Sequence, residues 1–257
     1  MSRRTHIYIV CSPRARIGKT LTVRLLTEFY RSSGLPVLGF DITPDQTLLT
    51  YLPRFSVAAQ ITETRGQMAL FDALIVPDEK PKVIDLGTGA FDTFFNILKQ
   101  IAFLEEARRR NVEPVILFTV NPDQASVKAY RMLLQNFSDI TIIPVLNEAF
   151  VRGFHYRDNF PPQRAVAVPL QVPQLSPSLR AIVDTPPFSF SEFRRRMSDD
   201  VPEHLEGEMH SWLKRTFLQF RELELRLLLE GLQTSLYDQA TNLGEPASVK
   251  GSTGQAS

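Results

Sequence analysis

The chain has 257 residues, enough for one sizeable α/β domain with an appendage. Hydrophobic residues make up 43% and charged residues 22%, and the formal net charge of +1 creates no overall field that demands nucleic acid or an anionic membrane as partner. The single cysteine, Cys11, excludes an intrachain disulfide and fits a reducing, cytoplasmic setting. No apolar run approaches the ~20 residues of a membrane-spanning helix, and the run that follows the basic N-terminus is too short for a secretory signal core.

In chain order, residues 6–12 (HIYIVCS) form a short apolar run of strand character. Residues 18–33 follow with helical spacing, Leu21, Leu25, Leu26 and Phe29 recurring on one side. Gly34 and Pro36 close that helix, and residues 37–42 give a second strand. Residues 43–65 carry no clear period. A helix is predicted around 66–76, a strand over 82–86 (KVIDL), and one long amphipathic helix over 91–110. Then come a strand over 114–120, a helix over 123–137, a strand over 140–146 and a last strand over 165–170. Continuous apolar strands alternating with amphipathic helices predict a mostly parallel sheet covered on both faces, joined by right-handed crossovers.

After Pro186-Pro187 the strand-like runs stop. Residues 191–196 read as a short charged helix. Residues 205–236 read as one long helix whose weak point is Gly231, and the polar stretch 242–257 reads as disordered. The predicted division is a nucleotide-binding domain over 1–187, a helical extension over 188–240 and a tail over 241–257.

The chemistry concentrates between the first strand and the first helix. Pro13-Arg14-Ala15-Arg16-Ile17-Gly18-Lys19-Thr20 keeps the last three positions of the Walker A pattern G-x-x-x-x-G-K-[ST], with Pro13 at its first glycine. Gly18 lets the backbone turn close to a phosphate, Lys19 supplies a cation, and Thr20 offers a hydroxyl to Mg²⁺. The helix N-terminus adds backbone N–H donors and the positive end of its dipole. The four histidines, His6, His155, His204 and His210, show no metal-ligand spacing, and no Ser/His/Asp or Cys/His set points to a nucleophile.

The segment RARIGKT resembles a degenerate form of the deviant Walker A, K-G-G-x-G-K-[ST], of ParA/MinD-like P-loop ATPases. Arg14 stands at the leading lysine, which in that family reaches across a dimer to the partner's nucleotide, and Ala15 and Arg16 stand at its two glycines. Phe40-Asp41-Ile42-Thr43-Pro44-Asp45-Gln46 is similar to the family's switch I, D-x-D-P-Q, with Asp41 at the first aspartate and Thr43 at the second, which orients water. Val83-Ile84-Asp85-Leu86-Gly87 resembles its Walker B and switch II strand, and Val145-Leu146-Asn147 the strand whose asparagine contacts the adenine edge. Residues 168–179 resemble the last strand and helix, whose loop flanks the base. The resemblance covers roughly 5–185 and implies a P-loop NTPase-type α/β fold plus a C-terminal helical tail.

It further implies ATP and Mg²⁺ as ligands. Lys19, Asp41 and Arg14 would be the catalytic residues. Ala15, Arg16, Ile17, Gly18, Lys19, Thr20, Leu21 and Asn147 would hold the nucleotide, and Thr20 and Asp85 the metal. The function so implied is an ATP-dependent switch that dimerises on ATP–Mg²⁺ and hydrolyses it slowly, in DNA or plasmid partitioning or in positioning an assembly. A non-hydrolysing scaffold acting through its C-terminal helix, and a small-molecule ligase on the same fold, stay open. The implied partners are a second copy of the chain and an unknown protein. DNA stays open through Arg108-Arg109-Arg110 and Arg194-Arg195-Arg196. Membrane contact is not expected, because the polar face of the tail helix is rich in glutamate rather than in Lys and Arg.

Overall fold

Seven runs rich in β-branched and large apolar residues pair into one sheet: β1 Thr5–Cys11, β2 Leu38–Ile42, β3 Ser56–Ala58, β4 Lys82–Leu86, β5 Val112–Thr119, β6 Thr141–Asn147 and β7 Leu170–Val172. Every pairing is parallel, in the order β3-β2-β4-β1-β5-β6-β7. This computed structural model describes residues 4–164, 166–195 and 202–243. Parallel neighbours need crossovers, and the helices that provide them are α1 Lys19–Ser32, α2 Thr47–Tyr51, α3 Thr64–Leu74, α4 Phe91–Gln100, α5 Phe103–Arg109 and α6 Gln124–Asn136. Beyond β7 come α7 Pro177–Val183, α8 Phe190–Arg195 and α9 Glu203–Leu243.

Both sheet faces are buried, which is why the strands read as continuous apolar runs. The side chains of β1 alternate: Ile7, Ile9 and Cys11 join a core with Phe71, Phe94, Phe103 and Tyr130 from α3–α6. Tyr8 and Val10 point the other way, into a core with Leu25 and Phe29 of α1, Leu179 of α7 and Phe190 of α8. Met209, Trp212, Phe220, Leu223 and Leu227 of α9 belong to that second core, so the C-terminal helix is laid along the sheet-covering layer itself.

The elements depart from those expected at three places, and the stretch without a period is filled. Residues 43–65 contain α2 and β3, both too short to show a period. The helix expected over 91–110 is two, α4 and α5, broken where Ala102 takes φ 49°. The last strand begins at Leu170 rather than at 165; Pro169 has no N–H to give a ladder, and Ala165 lies outside the described residues. As expected, α9 is one helix through Gly231, where an added Cβ would stand 3.2 Å from Nη1 of Arg4, a side chain that lies against the helix at that point. The helix reaches Leu243, so the first residues of the stretch expected to be disordered are helical, and the rest of that stretch lies outside the described residues.

Candidate functional site

Strand β1 lies at the centre of the sheet, and the loop from its end to α1 therefore sits over the carboxyl ends of the strands, where open α/β sheets gather ligands. The loop closes through Gly18, which precedes α1 at φ 94°, a conformation L side chains rarely adopt. A Cβ there would also lie 2.3 Å from Nδ2 of Asn147. That amide donates to the Ile17 carbonyl at 3.2 Å, and its Oδ1 accepts from Ala149 N–H at 3.1 Å. Asn147, at the end of β6, thus holds the loop from below. Arg16 takes φ 60°, so the backbone uses the left-handed region at one of the two positions where the ATPase pattern has glycine. For a residue with a Cβ this costs about 1–2 kcal/mol.

Lys19 opens α1 and is buried. Its Nζ donates to the Arg14 carbonyl at 2.6 Å and to Thr88 Oγ1 at 3.0 Å. Burial holds its ammonium below the usual lysine range, while Asp85 and then Cys11 pull the other way. Thr20 Oγ1 donates to Asp85 Oδ2 at 2.6 Å. Asp85 is fully buried at the end of β4, and its second oxygen, Oδ1, has no hydrogen-bond partner among the described residues. Desolvation pushes its carboxyl up to about 7; the Thr20 bond lowers it and Asp41 adds to the rise. A buried carboxylate with an orphaned acceptor is costly unless something completes it. A hydroxyl and a carboxylate together suit a hard oxygen-preferring cation such as Mg²⁺, which takes few protein ligands and keeps waters. Cys11, beneath the loop, is wholly buried, and burial pushes its thiol well up, which marks it as inert packing.

These groups line one end of a cavity of about 720 Å³. Ala15, Arg16, Gly18, Lys19, Thr20, Leu21, Asp85 and Asn147, all expected from the sequence, are brought together there, with Thr43 and Asp45 on the side of the β2 loop. Ile17 turns its side chain into the protein and offers only its carbonyl, to Asn147. Asp41 does not line the cavity. Its Oδ1 accepts from the Thr43 N–H at 3.0 Å and hydroxyl at 2.6 Å, and its Oδ2 from Leu49 N–H at 3.0 Å. All of its bonding ties down the segment that leads into α2. Arg14 also lies off the cavity wall: its Nε donates to Asp123 Oδ2 at 2.8 Å. Asp123 in turn caps α6 by accepting from Ser126 N–H at 2.8 Å. Of the three residues expected to be catalytic, Lys19 lines the cavity, while Asp41 and Arg14 each hold a loop beside it.

Sequence reasoning missed Thr88, Arg24, Tyr51 and Phe150, all on the cavity wall. Thr88 follows the Asp85-Leu86-Gly87 run directly. Gly87 is there because the chain crosses Ile42: an added Cβ would come within 2.6 Å of the Ile42 carbonyl. Arg24 stands four residues after Thr20, on the same face of α1, a signal the spacing already contained. Its pKa is pushed down to about 10 by burial, with Tyr51, Asp184 and Glu28 opposing.

The arginine triplet at 108–110 is matched by carboxylates: Arg108 pairs with Asp139 at 2.8 Å, and Arg109 and Arg110 pair with Glu106 at 2.5 and 2.6 Å. The other triplet, 194–196, lies outside the residues whose side chains are described. No described helix is long and apolar enough to cross a membrane.

No protein-family model matches the chain, and no curated protein matches it. Among solved structures it is similar to the signal recognition particle receptor FtsY from Elizabethkingia anophelis, at 13% identity and a TM-score of 0.47. That match takes in 68% of this chain and 61% of the receptor chain, so the protein spans about three fifths of that relative's length. It is similar too to the MinC:MinD cell division protein complex of Aquifex aeolicus, at 17% identity and a TM-score of 0.38, over 77% of this chain and 98% of that one. At such scores the likeness is loose, and the chemistry of the site has to be read from its own side chains.

Proposed function

We propose that the protein binds ATP–Mg²⁺ in this cavity and works as a nucleotide-dependent switch. One observation carries the reading: Lys19, Thr20 and Asp85 meet at the N-terminus of α1, with Asp85 Oδ1 buried and unpartnered. In this reading the phosphates lie against the N–H groups of residues 15–20 and against Lys19, whose ammonium trades the Arg14 carbonyl for a phosphate oxygen. Thr20 and Asp85 hold the cation, which when bound neutralises phosphate charge. The nucleoside extends over the ends of β6 and β7, between Phe150 and the residues 173–175 that line that side. No N-K-x-D follows Asn147, which favours adenine over guanine.

The loops positioned to sense a γ-phosphate are residues 43–47, with Thr43 and Asp45 on the wall, and residues 87–89, with Thr88 on Lys19. Dimerisation through Arg14, as the ATPase resemblance implies, requires that Arg14 exchange Asp123 for a partner's phosphate. A role in partitioning DNA or positioning an assembly, with a second copy and a further protein as partners, belongs to the same reading.

A second reading, a nucleotide-binding scaffold without turnover, is favoured by one feature. Asp41 is committed to Thr43 and Leu49, and Thr43 stands where the family carries its water-orienting aspartate. Calorimetric titration of ATP–Mg²⁺ into wild type and Lys19→Ala, with phosphate release followed in the same samples, separates the two. Binding lost in Lys19→Ala together with slow release supports the switch. Binding without release supports the scaffold, and no binding by wild type refutes both.

A further inference from the structure

The cavity is tied to the C-terminal helix at two places. The first is direct. Trp212 of α9 donates its indole N–H to the Pro173 carbonyl at 2.8 Å, and Pro173 lines the cavity. Trp212 is the chain's single tryptophan and is 1% exposed, and its ring stacks on Phe190 of α8, centroids 5.9 Å apart at 27°.

The second runs along α1. Thr20, Arg24 and Glu28 follow one another at steps of four and share one face of the helix. Arg24 lines the cavity, with its guanidinium 3.7 Å from the centroid of Tyr51 and 5.5 Å from that of Phe190, the ring on which Trp212 stacks. Its Nη2 donates to the Val183 carbonyl at 2.8 Å. One turn further, Glu28 is 1% exposed and accepts from Ser189 Oγ at 2.9 Å, from Ser191 N–H at 3.3 Å and from the Ser191 hydroxyl. Two buried charged side chains on the helix that opens at the phosphate loop therefore clasp residues 183–191, the stretch that leads into α8. Tyr51 closes the ring by donating to the Asp184 carbonyl at 2.7 Å.

Buried charges are expensive unless their partners are in place. Glu28 also pairs within α1 with Arg31 at 2.5 Å, so its charge stays matched, and what the clasp adds is the hydrogen bonds to residues 189 and 191. A ligand that presses on Pro173, Leu175, Arg24 or Tyr51 would touch residues that take part in these contacts, and a difference in affinity between the made and unmade clasp is what coupling requires.

Building on the nucleotide reading above, we propose that α9 reports the state of the cavity, coupled to it through Trp212 on Pro173 and through the Arg24–Phe190 contact beside it. Occupancy of the cavity tightens the clasp and holds the first half of α9 on the sheet; emptying it loosens both.

The experiment uses the full chain and ATP–Mg²⁺ as probe, with binding measured by calorimetry alongside two reporters, Trp212 fluorescence and amide hydrogen exchange. Saturation is expected to shift the Trp212 emission and to slow exchange across residues 209–223. Trp212→Phe keeps a ring on Phe190 but lacks the N–H; it is expected to bind ATP–Mg²⁺ and to lose the slowing of exchange. Ser191→Ala, which removes one hydroxyl from Glu28 without touching α9, is expected to raise exchange in α8 and α9 before ligand is added. That variant serves if Trp212→Phe does not fold. Binding with unchanged emission and unchanged exchange overturns the coupling and leaves the nucleotide reading standing. Absence of binding overturns the nucleotide reading, and the coupling with it.

Discussion

The hydroxyl of Thr20 donates to the carboxylate of Asp85 at 2.6 Å, joining the first turn of α1 to the end of β4. The bond leaves Asp85 Oδ1 with no partner among the described residues, so this pair is where a cation has most to complete. Asp85→Asn keeps an acceptor for Thr20 and removes the charge. Its affinity for ATP in the presence of Mg²⁺ is expected to fall by at least ~10-fold, while its affinity in excess chelator stays near that of wild type. Titrations with and without Mg²⁺ check this; an equal loss under both conditions would show that Asp85 acts on the loop and not on a metal. Since the substitution removes a buried titrating group, thermal stability at neutral pH is expected to hold or rise, which separates a binding effect from misfolding.

Gly18 is fixed by two independent constraints, φ 94° and the 2.3 Å approach of Asn147 to its missing Cβ. Gly18→Ala is expected to lose about 1–3 kcal/mol of stability and to lose nucleotide binding. Adding Asn147→Ala removes the steric half of the penalty but not the backbone half. Measured against Asn147→Ala alone, which itself gives up the bonds to Ile17 and Ala149, the double variant should therefore show a smaller Gly18→Ala loss in melting temperature and no binding. Full recovery of stability would mean that the φ constraint carries no weight.

The break between α4 and α5 offers a stabilising change. Ala102 sits at φ 49° and gives its carbonyl to Glu105 and Glu106 N–H, at 3.2 and 3.4 Å, so it must stay in the left-handed region for α5 to start. Ala102→Gly relieves on the order of 1 kcal/mol of that strain, less the extra chain entropy of glycine. A rise in melting temperature of about 1 °C is expected. A fall would show that the entropy term wins.

Ala102 also explains why the sequence misleads here. Alanine is the best helix former, and Phe94, Leu98 and Leu104 keep an apolar side across the break, so nothing local marks it. The parallel sheet was legible because each strand is a continuous apolar run and each long crossover has its own period. Gly18, Lys19, Thr20, Asp85 and Asn147 were legible because each closes or opens such an element. Asp41 was legible as a position at a strand end, but the hydrogen bonds it makes were not. Its ligand, Leu49 N–H, belongs to α2, a helix of five residues with no periodic signal. The partner of Arg14 was hidden for a similar reason: Asp123 lies 109 residues away in sequence, and only the sheet order brings α6 beside the loop.

Glu113, near the start of β5, gives the fold a pH dependence that is independent of the cavity. Burial alone would raise its carboxyl. The closeness of His6 and the charge of Arg4, which also donates a hydrogen bond, outweigh burial and hold it below the usual glutamate range. Arg4 Nη1 stands 3.2 Å and His6 Nε2 3.6 Å from Glu113 Oε2. A group whose folded pKa is depressed binds protons more readily in the unfolded chain. Its contribution is therefore fully present above the ordinary value of about 4.3 and is lost as pH falls through the lower, folded one. Stability is expected to drop on acidification below that ordinary value. In Glu113→Gln, which keeps the shape and removes the charge, the acid limb should be shallower and stability at neutral pH lower by on the order of 1 kcal/mol. Denaturant unfolding of both proteins between pH 3 and 7 checks the sign. Parallel curves would assign the acid sensitivity to other carboxylates, and a steeper limb in the variant would reverse the direction argued for Glu113.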